Sequence, residues 1–356
     1  MASPNYEKRI KTFQKSMKCN YAVLVSRDYD SNVYYFTGFK GGNFGFLVIP
    51  KKGKASFISS SIDIGNAQNK SIKKIIIKKS TREELRKIIK KNKIIGVDFS
   101  ALALAYYAGL KKSIKPKKVV DVSQILLEQR AVKDKYELVQ IKNAAKNISE
   151  ILDMAIKNIP TFNYEREIKN FIDVEARKRG LPMSFDTIVA SGKNASNPHY
   201  SRCSDRLRRG FLVIDCGVKF NGYCSDITRT VFLGNPTRQE IQIYNKVLNI
   251  QKKCIGMLSS KTPKQVNEFA KRELGKDFLH SLGHGIGLDI HELPNITLKN
   301  NSKLKNSTCF TVEPGVYKKG KYGIRLEDDL LKQDWGLKIL TSVKNSLTII
   351  NKKVYK

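Results

Sequence analysis

The 356-residue chain carries four histidines, all after residue 198: His199, His280, His284 and His291. They lie in Gly- or Pro-rich stretches, NPHY and HSLGHGIGLDIHELP. A neutral imidazole can ligate a metal, and an imidazole can also move a proton or steady a developing charge. Carboxylates punctuate the same half of the chain. Asp215 and Asp226 flank ten residues of FLVIDCGVKFNGYCSDITRTVFLG (211–234), Glu313 ends FTVE, and Glu327 lies in GIRLED. With His284 they form an oxygen-rich donor set, suited to two adjacent divalent ions of the Mn, Co, Fe or Zn kind rather than to a structural zinc. Two such ions about 3.5–4 Å apart can share a bridging hydroxide and polarise a carbonyl, the design of a hydrolase. His280 and His284 have the spacing of a helical zinc pair. Gly283, Gly285 and Gly287 argue against a helix there. These glycines are expected to let backbone run close to a ligand.

The positioning element is the stretch 211–234, read as two strands joined at Asn221-Gly222. Asn-Gly suits a type I′ turn, which needs positive φ at both central residues. Phe220 then faces Tyr223, Gly217 faces Asp226, and Asp215 faces Thr228. Asp215 and Asp226 become diagonal neighbours on one face, about 7 Å apart or somewhat less. Gly217 is expected to leave open space opposite Asp226. In GIRLED, Arg325 and Glu327 share one strand face, with Ile324 and Leu326 on the other.

The rest of the chain divides in two. The segments 21–25, 33–39, 44–50, 55–59, 74–78, 94–99 and 119–122 read as strands. Helices are expected over 81–91, with Thr81 as N-cap and Glu84 completing a capping box, and over 100–109. Residues 1–125 are thus an α/β domain. Residues 126–356 form the second domain. Asp134 opens a long helix to Asn158 with an apolar face at Leu138, Ile141, Ala145, Ile148, Leu152 and Ile156. Helices follow over 163–179, 237–258 and 262–274, with a strand at 185–192 and three closing strand-like runs around residues 309–341.

Composition limits the remaining possibilities. There are 66 Lys and Arg residues against 32 Asp and Glu, a net charge of +34. The Lys residues occur as short pairs throughout, so solvated faces rather than a nucleic-acid stripe are expected. No apolar run reaches the length of a membrane span, and the N-terminus lacks the apolar core of a secretory signal. Six scattered cysteines without a paired rhythm fit a reduced, cytoplasmic protein.

The order of Asp215, Asp226, His in GHGIGLDIHE, Glu in VEPGVY and Glu in GIRLED resembles the metallopeptidase family of aminopeptidase P, prolidase and methionine aminopeptidase. The resemblance covers about residues 125–345. It implies a pita-bread fold of α+β type for the catalytic domain. The preceding domain, with its VYYFTGF stretch, is similar to the creatinase/prolidase N-terminal domain of the proline-specific members. Carried over by position, Asp215, Asp226, His284, Glu313 and Glu327 match the metal ligands. Asp215 and Asp226 would serve one ion and His284 and Glu313 the other, with Asp226 and Glu327 bridging. The resemblance implies Glu313 as general base. His199 would contact substrate or stabilise the tetrahedral intermediate. His280, His291, Tyr317 and Arg325 match further active-site residues. The implied ions are two divalent metals, Mn²⁺ first, with Co²⁺, Zn²⁺ or Fe²⁺ as alternatives. The implied substrates are proline-containing peptides, cut before the proline, and the implied assembly is a homodimer.

An Xaa-Pro aminopeptidase is the expected activity. An Xaa-Pro dipeptidase (prolidase) is the alternative, but compact prolidases often carry an Arg immediately after the HExP stretch, and here that residue is Asn295. A non-catalytic binding module and a creatinase-like enzyme are disfavoured because all five ligand positions are filled.

Overall fold

The computed structural model describes residues 3–351. The chain divides into two compact units, Met1–Arg130 and Ala131–Lys356. In the first, β1 (Tyr21–Asp28), β2 (Gly42–Pro50), β3 (Ser56–Ser59), β4 (Lys73–Ile76), β5 (Ile94–Val97) and β6 (Lys118–Asp121) form one mixed sheet in the order β4-β3-β2-β1-β5-β6. Helices α1 (Tyr6–Ser16), α2 (Ser31–Thr37), α3 (Thr81–Ile88), α4 (Leu104–Ile114) and α5 (Ser123–Ala131) connect or flank these strands.

Several local expectations change here. The run VYYFTGF is helical from Ser31 to Thr37, not a strand. Asp30 caps it by accepting from the Val33 amide at 2.7 Å, and Gly38 ends it with φ of 68°. Every residue of this helix is buried, so its sequence carries no polar face to reveal the helical period. The cap of α3 is Ser80, which accepts from the Glu83 amide, one residue earlier than expected. Helix α4 begins at Leu104 rather than Ser100, because Asp98 holds Ser100 in a turn through its amide and hydroxyl.

The second unit opens with α6 (Lys135–Asn158), capped by Asp134 in a full capping box, and α7 (Glu165–Lys178). A four-stranded sheet follows, built from β7 (Ile188–Ser191), β8 (Gly210–Cys216) and, after the small hairpin β9 (Lys219–Phe220) and β10 (Tyr223–Cys224), β11 (Ile227–Leu233). Asn221 and Gly222 both have positive φ, 49° and 85°, and Phe220 pairs with Tyr223. Asp215 pairs with Thr228 as expected. The space opposite Asp226 is not open, however: a Cβ on Gly217 would lie 2.0 Å from the Ser225 carbonyl oxygen. Gly217 admits neighbouring backbone.

Helices α8 (Arg238–Leu258) and α9 (Pro263–Leu274) are capped by Thr237 and Thr262. They lead to β12 (Gly283–Gly285), β13 (Glu292–Ile296), β14 (Cys309–Val312), β15 (Gly315–Lys318), β16 (Tyr322–Arg325), β17 (Asp328–Gln333), β18 (Gly336–Ile339) and β19 (Ile349–Ile350). The three expected closing runs are therefore five strands before β19. A second sheet runs β13-β12-β14-β17-β18, β15 and β16 pair separately, and β19 joins the first sheet beside β11.

Two apolar clusters hold this unit. Ile148, Leu152 and Ile172 of α6 and α7 pack with Ile214 and Val231 of the first sheet. Val247, Cys254 and Val266 of α8 and α9 pack with Phe310 and Leu330 of the second. Each fully buried Ile or Leu contributes about 1.5–3 kcal/mol relative to exposure.

Candidate active site

The strand breaks make the site. The β14 strand stops at Val312 and β15 resumes at Gly315, in a different sheet, which puts Glu313 at the seam. Likewise β16 ends at Arg325 and β17 starts at Asp328, leaving Glu327 at the return crossing. Asp226 occupies the break between β10 and β11. Chain that leaves one ladder for another turns its side chains out of the regular alternation. Asp215 projects from β8 and His284 from the middle of β12.

These residues converge. Asp226, His284 and Glu327 each offer a ligand atom, all within 4.8 Å of one another. The His284 Nε2 lies 3.7 Å from Asp226 Oδ2 and 3.6 Å from Glu313 Oε1. Its Nδ1 is 3.2 Å from the Gly285 carbonyl, which can only accept. That contact places the proton on Nδ1 and turns a bare Nε2 lone pair toward the carboxylates. A cavity of about 600 Å³ opens onto the group, and its walls include Asp215, Asp226, His284, Glu313 and Glu327. His199, His280, His291 and Arg325 also line it.

A second network braces the first. Arg325 donates to Asp215 Oδ2 at 2.5 Å, to Thr228 Oγ1 at 3.1 Å, to the Tyr317 hydroxyl at 2.9 Å and to the Pro198 carbonyl at 3.2 Å. The Tyr317 hydroxyl lies 2.9 Å from His280 Nε2, and His280 Nδ1 lies 2.8 Å from the Ser281 carbonyl. The carbonyl accepts a hydrogen bond from Nδ1–H, which leaves Nε2 bare, so Tyr317 accepts from Arg325 and donates to His280. Thr228 donates to Glu327 Oε2 at 2.7 Å, and the Asp226 amide donates to Asp329 Oδ2 at 3.0 Å. His291 packs edge-on against His284, with ring centroids 4.3 Å apart.

The electrostatics suit a divalent cation. Burial and the facing Glu327 and Asp215 push Asp226 well above the usual carboxylate range. Burial and Glu327 do the same to Glu313. Burial and Asp215 raise Glu327 to about 8. Burial lowers His284 and His280 to about 4, so both are neutral at physiological pH. Asp215 Oδ1, Asp226 Oδ1 and Glu327 Oε1 are buried without a hydrogen-bond partner. Crowded anionic oxygens, orphaned acceptors and one neutral imidazole are the donor set that first-row divalent ions take.

The metallopeptidase family M24 model matches residues 139–334, and the creatinase/prolidase N-terminal domain model matches residues 9–132. The chain belongs to metallopeptidase family M24. It is a metallopeptidase with a creatinase-type N-terminal domain and a pita-bread catalytic domain. It is 31% identical to the Xaa-Pro dipeptidase of Pyrococcus furiosus over 324 residues, 89% of this chain and 92% of that protein. The solved Xaa-Pro dipeptidase from Bacillus anthracis superposes with a TM-score of 0.90 at 27% identity, over 97% of this chain and 100% of that one. The X-Pro aminopeptidase from Thermotoga maritima gives 0.86 at 28%, over 95% and 99%.

In this M24 chain, every candidate catalytic or metal-ligating residue is at or beside the cavity: Tyr317 stands behind it and the others line it. The glycines of the His284 loop admit neighbouring protein groups, and Gly283 also lines the cavity. A Cβ on Gly283 would strike the Thr311 carbonyl, one on Gly285 the Leu293 carbonyl, and one on Gly287 the Glu292 carboxylate. Sequence reasoning missed Thr228, Asp329 and Glu292. Thr228 and Asp329 stand two residues after Asp226 and Glu327, a spacing that could have suggested them.

Proposed function

We propose that this metallopeptidase removes the N-terminal residue from Xaa-Pro peptides whose chain continues past the proline. The observation that carries this reading is the state of Arg325. It is the one Lys or Arg among the described residues lining the cavity, and its guanidinium already serves Asp215, Thr228, Tyr317 and Pro198. The free carboxylate of an Xaa-Pro dipeptide would lie one residue past the cut and call for a cation. Asn295, on the same wall, is neutral. A longer peptide puts a neutral amide there instead.

Asp215, Asp226, His284, Glu313 and Glu327 would hold the ions. Divalent ions bound there supply Lewis acidity, acidifying water and polarising the scissile carbonyl. The chain's own groups do the rest. Glu313 takes the proton of the attacking water and passes it to the leaving nitrogen. His199 and His291, on the exposed side of the cavity, offer N–H donors to the oxygen that gains charge. Tyr317 and Arg325 fix His280, whose ring faces Glu313 at 3.8 Å. Proline brings no N–H to the scissile bond, and Phe185, Ile188 and Ile290 give the cavity an apolar wall for its ring.

A dipeptidase is the second reading, favoured by the names of the Pyrococcus furiosus and Bacillus anthracis proteins. Hydrolysis of an Xaa-Pro-Yaa tripeptide and an Xaa-Pro dipeptide by the Mn²⁺-loaded protein separates the two. Preference for the tripeptide supports the aminopeptidase, and cleavage of the dipeptide alone supports the dipeptidase. A homodimer and a cytoplasmic location complete the proposal. All six cysteines are buried and unpaired, as a reducing compartment would leave them.

A further inference from the structure

The loop between His284 and His291 is wrapped around a buried anion. Glu292 follows His291 and pairs with Gly285 across β12 and β13. Its carboxylate is not directed at the cavity. Oε1 accepts the Asp289 amide at 3.0 Å, and Oε2 lies 3.1 Å from Lys133 Nζ. Both side chains of that ion pair are essentially inaccessible, 0% and 1% exposed. The carboxylate presses so closely on Gly287 that a Cβ there would sit 2.4 Å from Oε2. The Gly287 amide donates to the Asp289 carbonyl at 3.1 Å, and its carbonyl accepts from Cys224 of the central hairpin at 2.7 Å. The loop is therefore tied inward at Gly287, Asp289 and Glu292, with His284 at its start and His291 at its end.

Lys133 stands just ahead of α6, 159 residues away in sequence. Its own amide donates to the Ser307 carbonyl at 2.8 Å, and Asp134 beside it caps the helix. The ammonium is thus delivered from rigid backbone. A buried carboxylate deprived of its cation expels itself toward water or takes up a proton. Expulsion moves Glu292, and proton uptake weakens its hold on the Asp289 amide; either loosens the loop that the two histidines flank.

We infer that Lys133 is a positioning residue for the metal centre, holding His284 and His291 in place through the buried carboxylate of Glu292. This rests on the reading of His284 as a metal ligand. Groups that hydrogen-bond a ligand typically change metal affinity or activity by about 10–100-fold when lost; Lys133 acts through Glu292 and the loop backbone, so the lower end is expected.

The test is Mn²⁺ binding by calorimetry on three full-length proteins: the parent, Lys133→Met and Lys133→Met/Glu292→Leu. Melting is followed by circular dichroism so that binding is measured where each is folded. The double variant replaces the ion pair by apolar groups, a change buried pairs often tolerate, so it carries the test where the single variant does not fold. Positioning requires Mn²⁺ affinity at least about tenfold weaker in the folded variants, with kcat reduced at saturating Mn²⁺. A purely structural pair would lower the melting temperature of Lys133→Met and leave both quantities at the parent value. Parent-like affinity and kcat in the folded variants overturn the inference alone. Absence of Mn²⁺ binding by the parent overturns the metal-centre reading and this inference with it.

Discussion

Arg325 holds one oxygen of Asp215 at 2.5 Å, while the other, Asp215 Oδ1, is buried with no hydrogen-bond partner. One oxygen is fixed to the protein and the second is an acceptor that the proposed function assigns to a cation. Lys cannot reproduce the planar fork that also reaches Thr228 and Tyr317. Arg325→Lys is expected to lower kcat by roughly ten- to a hundredfold, the weight of a lost charge-assisted bond or two. Steady-state kinetics at saturating Mn²⁺ checks this, and an unchanged kcat would remove Arg325 from the account.

Asp226 is crowded by other carboxylates, facing Glu327, Asp215, Asp329 and Glu313. Asp226→Asn should abolish hydrolysis and lower the bound-metal stoichiometry measured by elemental analysis. The same substitution should raise the melting temperature of the metal-free protein at alkaline pH, where the crowded carboxylates ionise, because one of those charges is gone. A variant that keeps activity and full metal content would exclude Asp226 as a ligand.

The raised carboxylates make the metal-free protein sensitive to pH. Glu327, ordinarily near 4.5, titrates at about 8 in the fold, and Asp226 and Glu313 are also raised. The folded state then holds more protons than the unfolded one, so stability falls as pH rises through this range. His280 and His284 act oppositely, but only between about 4 and their ordinary 6.5. The decline should therefore be clearest from pH 6.5 to 8. Melting curves of chelator-treated protein across that window should shift downward, and added Mn²⁺ should remove the slope. A melting temperature that rises over the window without metal would contradict this.

The Tyr317 hydroxyl stands between Arg325 and His280, 2.9 Å from each. Tyr317→Phe keeps the ring and removes only the bridge. The expected loss in kcat is about five- to tenfold, near the 1 kcal/mol of a single hydrogen bond, with the melting temperature close to the parent value. Paired kinetic and melting measurements decide it: a large fall in stability would make Tyr317 a structural residue.

Asn295→Arg places a cation on the cavity wall where the aminopeptidase reading sees none. It should raise kcat/KM for Xaa-Pro dipeptides over Xaa-Pro-Yaa tripeptides by about tenfold, the lower end of a charge-assisted bond. Competition between the two substrates in one reaction measures the ratio directly. A ratio that does not move would place the carboxylate elsewhere.

The residue types and order of the candidate site, and one of its two hairpin registers, were legible; the strand breaks that turn its side chains together were not. The Asn221-Gly222 turn fixed the register that faces Asp215 with Thr228. Asp134, Thr237 and Thr262 announced their helices through side-chain caps. The helix Ser31–Thr37 escaped because it is buried on all sides and its aromatic composition favours strands. The stop at Glu313 was legible, since Pro314 and Gly315 follow it; the seam at Glu327, and the change of sheet at both, escaped because strand partners are set by residues distant in sequence. Lys133 and Glu292 were invisible as a pair, since 159 residues separate them and only the fold brings them together.

The most direct test is a Mn²⁺ titration of metal-stripped protein against Xaa-Pro-Yaa and Xaa-Ala-Yaa tripeptides. Hydrolysis without metal should be absent. Activity on the proline peptide should saturate at two ions per chain, with little on the alanine peptide. Hydrolysis by metal-free protein, saturation at a single ion, or equal cleavage of the two peptides would contradict the proposed function.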